Sequence, residues 1–362
     1  MNKKVVFIVP NVYDTHYKNR ITEFINHNID IAVYGFKRET DKTFPEMPYG
    51  YSVLGTIRDE DYVNRVKVYI KQFRKIGKKY NNENVIFYLC GLDIAMFFHL
   101  VNPSSKYIYE ECDLTYTYMG RVKYMFKWID KKIIKRAQLA ITTSEGFVRY
   151  HYGEKIPNNV VLVENKLNPN VIDYNVGKQK EFSGKNMSLG FVGMPRFNSV
   201  YSFIDIFCRN FPDGTFHVYG GPITPQFATL KKHKNCIFHG FFKNPSDLPE
   251  IYANIDLVIA TYDVKYENVR YAEPNKIYEA IYFETPILVS SRTFLAEKVK
   301  RLGIGYDIDA KNETAVVEFI KGLTKENLQI KRENIKKIDK NSTINVNDVL
   351  FEKLEFIIKE EK

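Results

Sequence analysis

The 362 residues include only four cysteines, at 90, 112, 208 and 236, and no two of them stand in a C-x-x-C pair. That scarcity argues against a disulfide framework or a cysteine-based zinc site and leads us to expect a reducing compartment. Long apolar runs are lacking as well. The first, 5–10, follows Asn2, Lys3 and Lys4 and is too short and too β-branched for a signal peptide or a membrane span. No later stretch reaches spanning length, so a cytoplasmic protein is expected. No G-x-G-x-x-G follows a strand pattern and no Walker loop is present, which counts against nicotinamide dehydrogenases and P-loop enzymes. An aromatic RNA-binding signature, a zinc finger and a basic tail are also missing, so no nucleic-acid partner is expected. Low-complexity tracts and short tandem repeats are absent.

What is abundant is positive charge, unevenly placed. Residues 1–170 carry 26 Lys plus Arg against 18 Asp plus Glu, and the other 192 residues carry 27 against 25. The first half therefore faces something anionic, a membrane surface, a phosphate-bearing acceptor or a nucleic acid, unless the excess is simply a solvated surface. Two helical patterns concentrate it. In 61–80, Val66, Tyr69, Ile70, Phe73 and Ile76 keep helical spacing among Lys67, Lys71, Arg74, Lys75, Lys78 and Lys79. In 121–137, Met125, Phe126, Ile129, Ile133 and Ile134 are set among seven basic side chains.

A chain of this length predicts two domains. Short β-branched runs alternate with helical patterns throughout, which is the signature of parallel α/β layers. Strands are predicted at 5–9, 29–34, 85–89, 107–109, 139–142 and 160–163, and again at 189–192, 215–219, 236–238, 257–260 and 287–289. Between them, around Pro169, Asn170, Gly177, Gln179 and Gly184, periodicity disappears. The reading is an N-terminal Rossmann-like domain over 1–172, a linker over 173–186, a second Rossmann-like domain over 187–342 and a C-terminal helix over 343–362. That helix carries Val349, Leu350, Leu354 and Ile357 on one face and is expected to pack back on the first domain. Two such sheets in tandem predict a cleft, because ligands bind beyond the carboxyl ends of their strands.

The most informative stretch is Glu273-Pro274-Asn275-Lys276-Ile277-Tyr278-Glu279-Ala280-Ile281. Pro274 suits a helix start, and the amides of Asn275 and Lys276 would then be open donors for a diphosphate. Glu279 follows at a distance suited to ribose hydroxyls. This segment resembles the donor-binding signature of GT-B glycosyltransferases of the bacterial group-one, family-four-like class, in the branch with P-x-K-x-x-E. The class commonly places a second Glu eight residues earlier, where this chain has Tyr271, with Glu273 two positions away. Leu189-Gly190-Phe191-Val192-Gly193-Met194-Pro195-Arg196 resembles the first strand of the class's donor domain. Gly193 would allow close ligand approach there and Arg196 would meet the diphosphate. His217-Val218-Tyr219-Gly220-Gly221 and Phe238-His239-Gly240-Phe241-Phe242 resemble the strand ends around the base, with Tyr219, Gly220 and Phe241 as binding candidates.

In the first half, Tyr107-Ile108-Tyr109-Glu110-Glu111-Cys112-Asp113-Leu114 resembles the acidic strand end that faces the acceptor, which makes Glu111 and Asp113 candidates for steering its hydroxyl. Asp14 and His16 in the first loop are weaker candidates. The resemblance implies an α/β enzyme of two Rossmann-like domains facing across a cleft. It would transfer a sugar, with retention, from a nucleotide diphosphate (a UDP-sugar first) to a glycan or polyprenyl-diphosphate-linked acceptor in capsule or other cell-surface polysaccharide assembly. Leaving-group charge would fall on Arg196, Lys276 and first-turn amides, so no cofactor and no metal is expected. Asp307-Ile308-Asp309 has the D-x-D form of metal-dependent transferases, but its context reads as a strand and a helix cap. The basic helices would seat the chain peripherally on the inner face of the plasma membrane. Two alternatives remain open: a nucleotide-sugar 2-epimerase on the same scaffold, and a nonenzymatic sugar- or nucleic-acid-binding protein.

Overall fold

In the computed structural model, residues 3–39, 46–58, 61–174, 182 and 187–359 are described. The chain begins β1 (Lys4–Val9), α1 (Thr15–Asn26), β2 (Ile31–Arg38), β3 (Ser52–Ile57), α2 (Tyr62–Lys79), β4 (Val85–Cys90), α3 (Leu92–Val101), β5 (Tyr107–Glu111), α4 (Lys123–Arg136), β6 (Leu139–Thr142), α5 (Glu145–Tyr152) and β7 (Val160–Leu162). It continues β8 (Ser188–Val192), α6 (Asn198–Asn210), β9 (Thr215–Tyr219), α7 (Pro225–Ala228), β10 (Cys236–Gly240), α8 (Leu248–Ala253), β11 (Leu257–Ala260), α9 (Glu267–Tyr271), α10 (Lys276–Tyr282), β12 (Ile287–Ser290), α11 (Phe294–Leu302), β13 (Gly305–Ile308), α12 (Glu313–Gly322), α13 (Lys325–Lys336) and α14 (Asp348–Ile358).

Two compact units result, one of Met1–Val163 with Asn347–Lys362 and one of Glu164–Val346. Each holds a parallel sheet, ordered β3-β2-β1-β4-β5-β6-β7 in the first and β10-β9-β8-β11-β12-β13 in the second. Strand order reverses between β1 and β4 and between β8 and β11, the switch points beside which such sheets bind ligands. Val5 to Val9 are fully buried, as a central parallel strand covered on both faces requires. The edge strand β3 was not foreseen. It has Gly55 at its middle, its pairing with β2 shifts register between Gly35 and Lys37, and its first two residues are exposed, so no apolar period marks it.

The first unit ends ahead of the expected 172, for a physical reason. Leu167 already bridges Ile344, its amide donates to the Thr343 carbonyl at 2.9 Å, and Val171 is buried in a core of the second unit. Of the expected linker, 175–181 and 183–186 lie outside the described residues. The C-terminal helix α14 does pack on the first unit, through Leu350, Phe351, Leu354 and Ile358, with His27 stacked on Phe351 at 3.5 Å. Its buried stripe is rotated from the expected one: Phe351 and Ile358 take the places assigned to Val349 and Ile357, and Val349 is exposed.

Strand β5 sends alternate side chains to opposite faces, and this sets the chemistry of the first unit. Toward α4 and α5, the Tyr109 hydroxyl donates to Asp130 Oδ1 at 2.9 Å, and Glu111 Oε1 meets His151 Nε2 at 2.7 Å. Asp130 Oδ2 lies 3.5 Å from the same nitrogen, so one imidazole is shared by two carboxylates, all three groups buried. Burial, then the charge of Asp130, pushes Glu111 up to about 7. Burial alone would lower His151, but Glu111 and Asp130 overcome it and carry it to about 9.

Both shifts are upward, so the folded state holds more protons than the unfolded chain and stability falls as pH rises. The His151 contribution is complete below its ordinary 6.5 and is lost as pH passes about 9. Replacing His151→Gln strands two buried carboxylates and should cost about 3–5 kcal/mol near pH 6.5. Urea denaturation should show the gap between wild type and variant narrowing by pH 9.5; a gap that stays constant across that range contradicts the ion triad.

Candidate active site

In the second unit the site is assembled at the carboxyl ends of β8 and β9 and at the start of α10. The Gly193 amide donates to the Tyr219 carbonyl at 2.8 Å, and Gly220 donates to the Gly240 carbonyl at 2.7 Å. Gly220 has φ of 123°, and a Cβ there would lie 2.1 Å from the Gly193 carbonyl oxygen, so no side chain fits. Gly193 itself has φ of 137°, and its missing Cβ would stand 3.8 Å from Lys276 Cε. The absent side chain at 193 thus borders the lysine that opens α10.

That lysine is buried against Glu279. Its Nζ lies 2.6 and 2.5 Å from the two carboxylate oxygens. Asn275 Nδ2 adds a donor at 2.9 Å, and the Tyr252 hydroxyl adds one at 2.6 Å. Glu279 has no solvent exposure. A carboxylate this deep is tolerated because an ammonium and two further donors replace its water. Among the described residues, no acceptor meets the amides of Asn275 and Lys276, the first of α10.

Arg196 is exposed and has no carboxylate partner among the described residues; its guanidinium lies 5.0 Å from the Phe197 ring centre. Phe197 lies 4.7 Å from Tyr262. Burial, then the charge of Glu279, raises the Tyr262 hydroxyl, while Arg196 lowers it. Tyr262 therefore sits within the fields of both the predicted diphosphate arginine and the predicted ribose carboxylate. Tyr219 stacks on His239 at 4.1 Å, His217 Nδ1 lies 2.9 Å from His239 Nε2, and the exposed Phe241 ring covers Gly221. Gly193, Arg196, Tyr219, Gly220, Phe241, Asn275, Lys276 and Glu279 are thus linked through neighbouring contacts in one region.

Other acidic groups of the second unit are committed elsewhere. Glu273 accepts from Tyr278 and Lys298, and Lys298 also reaches Glu164 at 3.0 Å. Asp307 pairs with Lys300 at 2.9 Å and Asp309 with Arg292 at 3.1 Å. Asp263 accepts from the Asn198 amide and the Ser199 hydroxyl, each at 2.8 Å, and so closes the start of α6.

In the first unit the expectation for Glu111 needs correcting. Its carboxylate is enclosed with His151 and out of reach of an acceptor, because odd-numbered residues of β5 point toward α4 and α5. Asp113 follows the strand and is exposed. The opposite face of β5 presents Glu110, which sequence reasoning passed over. It meets His16 Nε2 at 3.0 Å, Arg20 Nη2 at 3.3 Å and the Tyr88 hydroxyl at 2.7 Å. Burial would raise Glu110, yet Arg20 and His16 hold it at about 2. Glu110 in turn raises His16 above 6.5 against the pull of burial. The spacing of His16 and Arg20, one helical turn apart, was the available signal. Two sets, His16 with Glu110 and Cys112, and Glu111 with Asp130 and His151, have ligand atoms within 4.8 Å of one another and could hold a metal by geometry. In each set a histidine already pairs with a carboxylate.

Residues 200–342 match the family model described as glycosyl transferases group 1. A comparison with curated proteins finds no match. Among solved structures, sucrose-phosphate synthase from Thermosynechococcus elongatus is similar at TM-score 0.67 and 12% identity, over 99% of this chain and 100% of that one. The Anabaena protein HepE, solved with UDP and glucose, gives 0.67 and 13%, over 98% and 100%. A putative UDP-N-acetylglucosamine 2-epimerase from Listeria monocytogenes gives 0.56 and 10%, over 92% and 91%. The family match lies within the second unit, and along its whole length the chain has the fold of GT-B glycosyltransferases.

Proposed function

We propose that the chain moves a sugar from a nucleoside diphosphate, foremost a UDP-sugar, to a glycan or polyprenyl-diphosphate-linked acceptor during cell-surface polysaccharide synthesis. The observation that carries this reading is the Lys276–Glu279 pair beside Gly193, with two open amides at the same turn. The HepE structure, which holds UDP and glucose, supports a UDP-sugar as donor.

In this mechanism Arg196, Lys276 and the amides of Asn275 and Lys276 receive the diphosphate. Charge builds on the β-phosphate as the glycosidic bond breaks, so preorganised cations favour the transition state over the bound donor. These groups supply the neutralising charge from the protein itself, so transfer is proposed to need no metal. Glu279 binds ribose by exchange. As the Lys276 ammonium turns toward phosphate, the carboxylate exchanges a cation for ribose hydroxyls and stays hydrogen-bonded throughout. The transferred sugar passes through an oxocarbenium-like state, and retention of configuration is the outcome the family resemblance implies. In the first unit, Asp113 and His16 are the groups proposed to meet an acceptor hydroxyl. A cytoplasmic position, peripheral on the inner face of the plasma membrane, fits the basic surface of that unit.

A nucleotide-sugar screen with acceptor and without it separates the alternatives. Conversion of a UDP-sugar in the absence of acceptor favours an epimerase, and absence of UDP binding favours a nonenzymatic role. With the true donor, Lys276→Met should lower kcat/KM by about 10²–10³-fold, and EDTA should leave the rate unchanged; an unaltered rate in the variant refutes the assignment of Lys276. For Glu279→Gln, calorimetry should find UDP bound roughly tenfold more weakly. Thermal unfolding of that variant checks that the fold survives, and undiminished affinity rules out ribose exchange.

A further inference from the structure

Exposed large apolar side chains crowd into one short stretch of the first unit. Tyr118, Met119, Val122, Tyr124, Met125 and Trp128 all face solvent, with Trp128 58% and Tyr124 66% exposed. They lead into and occupy the first half of α4. The outward stripe of that helix then continues through Lys132 and Lys135 at spacings of three and four, and Arg121 precedes it. The opposite side is anchored: Ile133 and Ile134 are buried, and Asp130 is enclosed by Tyr109 and His151. Between 114 and 136 there are seven basic residues, and the single acid is that buried Asp130. The surface therefore offers apolar rings and positive charge with no exposed carboxylate of its own.

We infer that this face docks on an anionic lipid surface, with Tyr124, Met125 and Trp128 entering the headgroup layer and the basic residues of α4 reaching lipid phosphates around them. The inference deepens the peripheral placement proposed above, from diffuse attraction by two basic helices to one insertion face. Three observations favour lipid over other partners. Lysines crowd the patch, although they are depleted from protein–protein interfaces. Lys132 Nζ lies 3.6 Å from the Trp128 ring and Lys123 Nζ 5.2 Å from the Tyr124 ring, the arrangement of aromatic and basic residues found at membrane interfaces. The exposed methionine and valine offer a nucleic acid nothing to hydrogen-bond. No described helix is long and apolar enough to cross a membrane, and α4, with 14 residues, would lie along the surface. The other basic helix, α2, buries Tyr69, Phe73 and Ile76, and so keeps its midsection apolar residues inside.

Trp128 is the only tryptophan in the chain, so the full-length protein reports on its own docking. With phosphatidylcholine vesicles containing about one-third phosphatidylglycerol, its emission should shift to the blue and be quenched by brominated acyl chains. Neutral vesicles should bind at least roughly tenfold more weakly. Arg121→Gln/Lys135→Gln should weaken the anionic-vesicle affinity by a similar factor, and Met125→Asp should abolish the shift while thermal unfolding stays cooperative. Unmoved emission with anionic vesicles overturns the inference, as does an unimpaired Met125→Asp. So does a response to an RNA oligomer but not to vesicles. The assay contains neither donor nor acceptor, so loss of docking leaves the transferase reading standing, and loss of sugar transfer leaves docking standing.

Discussion

The second unit is organised around a carboxylate kept from water. Glu279 has no exposed surface, and desolvating a charge so fully costs far more than one hydrogen bond returns. The Lys276 ammonium, the Asn275 amide group and the Tyr252 hydroxyl together replace its solvent. These partners come from the start of α10 and from α8, so the requirement ties two elements together. It also keeps the lysine side chain beside Gly193. A side chain at 220 would collide with the Gly193 carbonyl; with glycine there, the β8 and β9 ends can pass in direct backbone contact. The open first-turn amides therefore stand ready before any ligand arrives, and the Lys276 ammonium is held one side-chain turn away from them.

The same desolvation logic decides the roles of two adjacent glutamates in the first unit. Glu110 and Glu111 are indistinguishable as residue types, and each is buried against a histidine. Arg20 gives Glu110 a full cation and holds it ionised at about 2, whereas Glu111 shares its imidazole with Asp130 and rises to about 7. One is a fixed anion beside the loop that carries His16. The other is a proton-sharing member of an interior clasp joining β5, α4 and α5.

Parallel α/β layering could be read from the sequence because fully buried strands such as 5–9 are unbroken apolar, mostly β-branched runs and the helices between them keep their period. Strand β3 could not, since an edge strand with a central glycine and a register shift has no apolar alternation to detect. The donor-side residues were legible for a similar reason: Pro274, Lys276 and Glu279 lie close together on one turn, where local spacing determines geometry. Glu110 and Tyr252 were not, because their side-chain partners lie 22 to 94 residues away. Strand parity also had to be known to a single residue before Glu111 could be separated from Glu110.

Two helix starts stand near the strand ends of the second unit, and they are not equivalent. At α6, the Asp263 carboxylate accepts from the Asn198 amide and the Ser199 hydroxyl and is itself held by Lys311 at 2.6 Å. An incoming phosphate would there face an anion already in place, and it would have to displace a cap whose loss costs roughly 1 kcal/mol. At α10 no carboxylate among the described residues occupies the first amides, because the nearby Glu279 is drawn inward by Lys276 and Tyr252. The internal ion pair thus serves two ends. It keeps a cation close to the open turn, and it withdraws the negative charge that would otherwise repel a diphosphate from it.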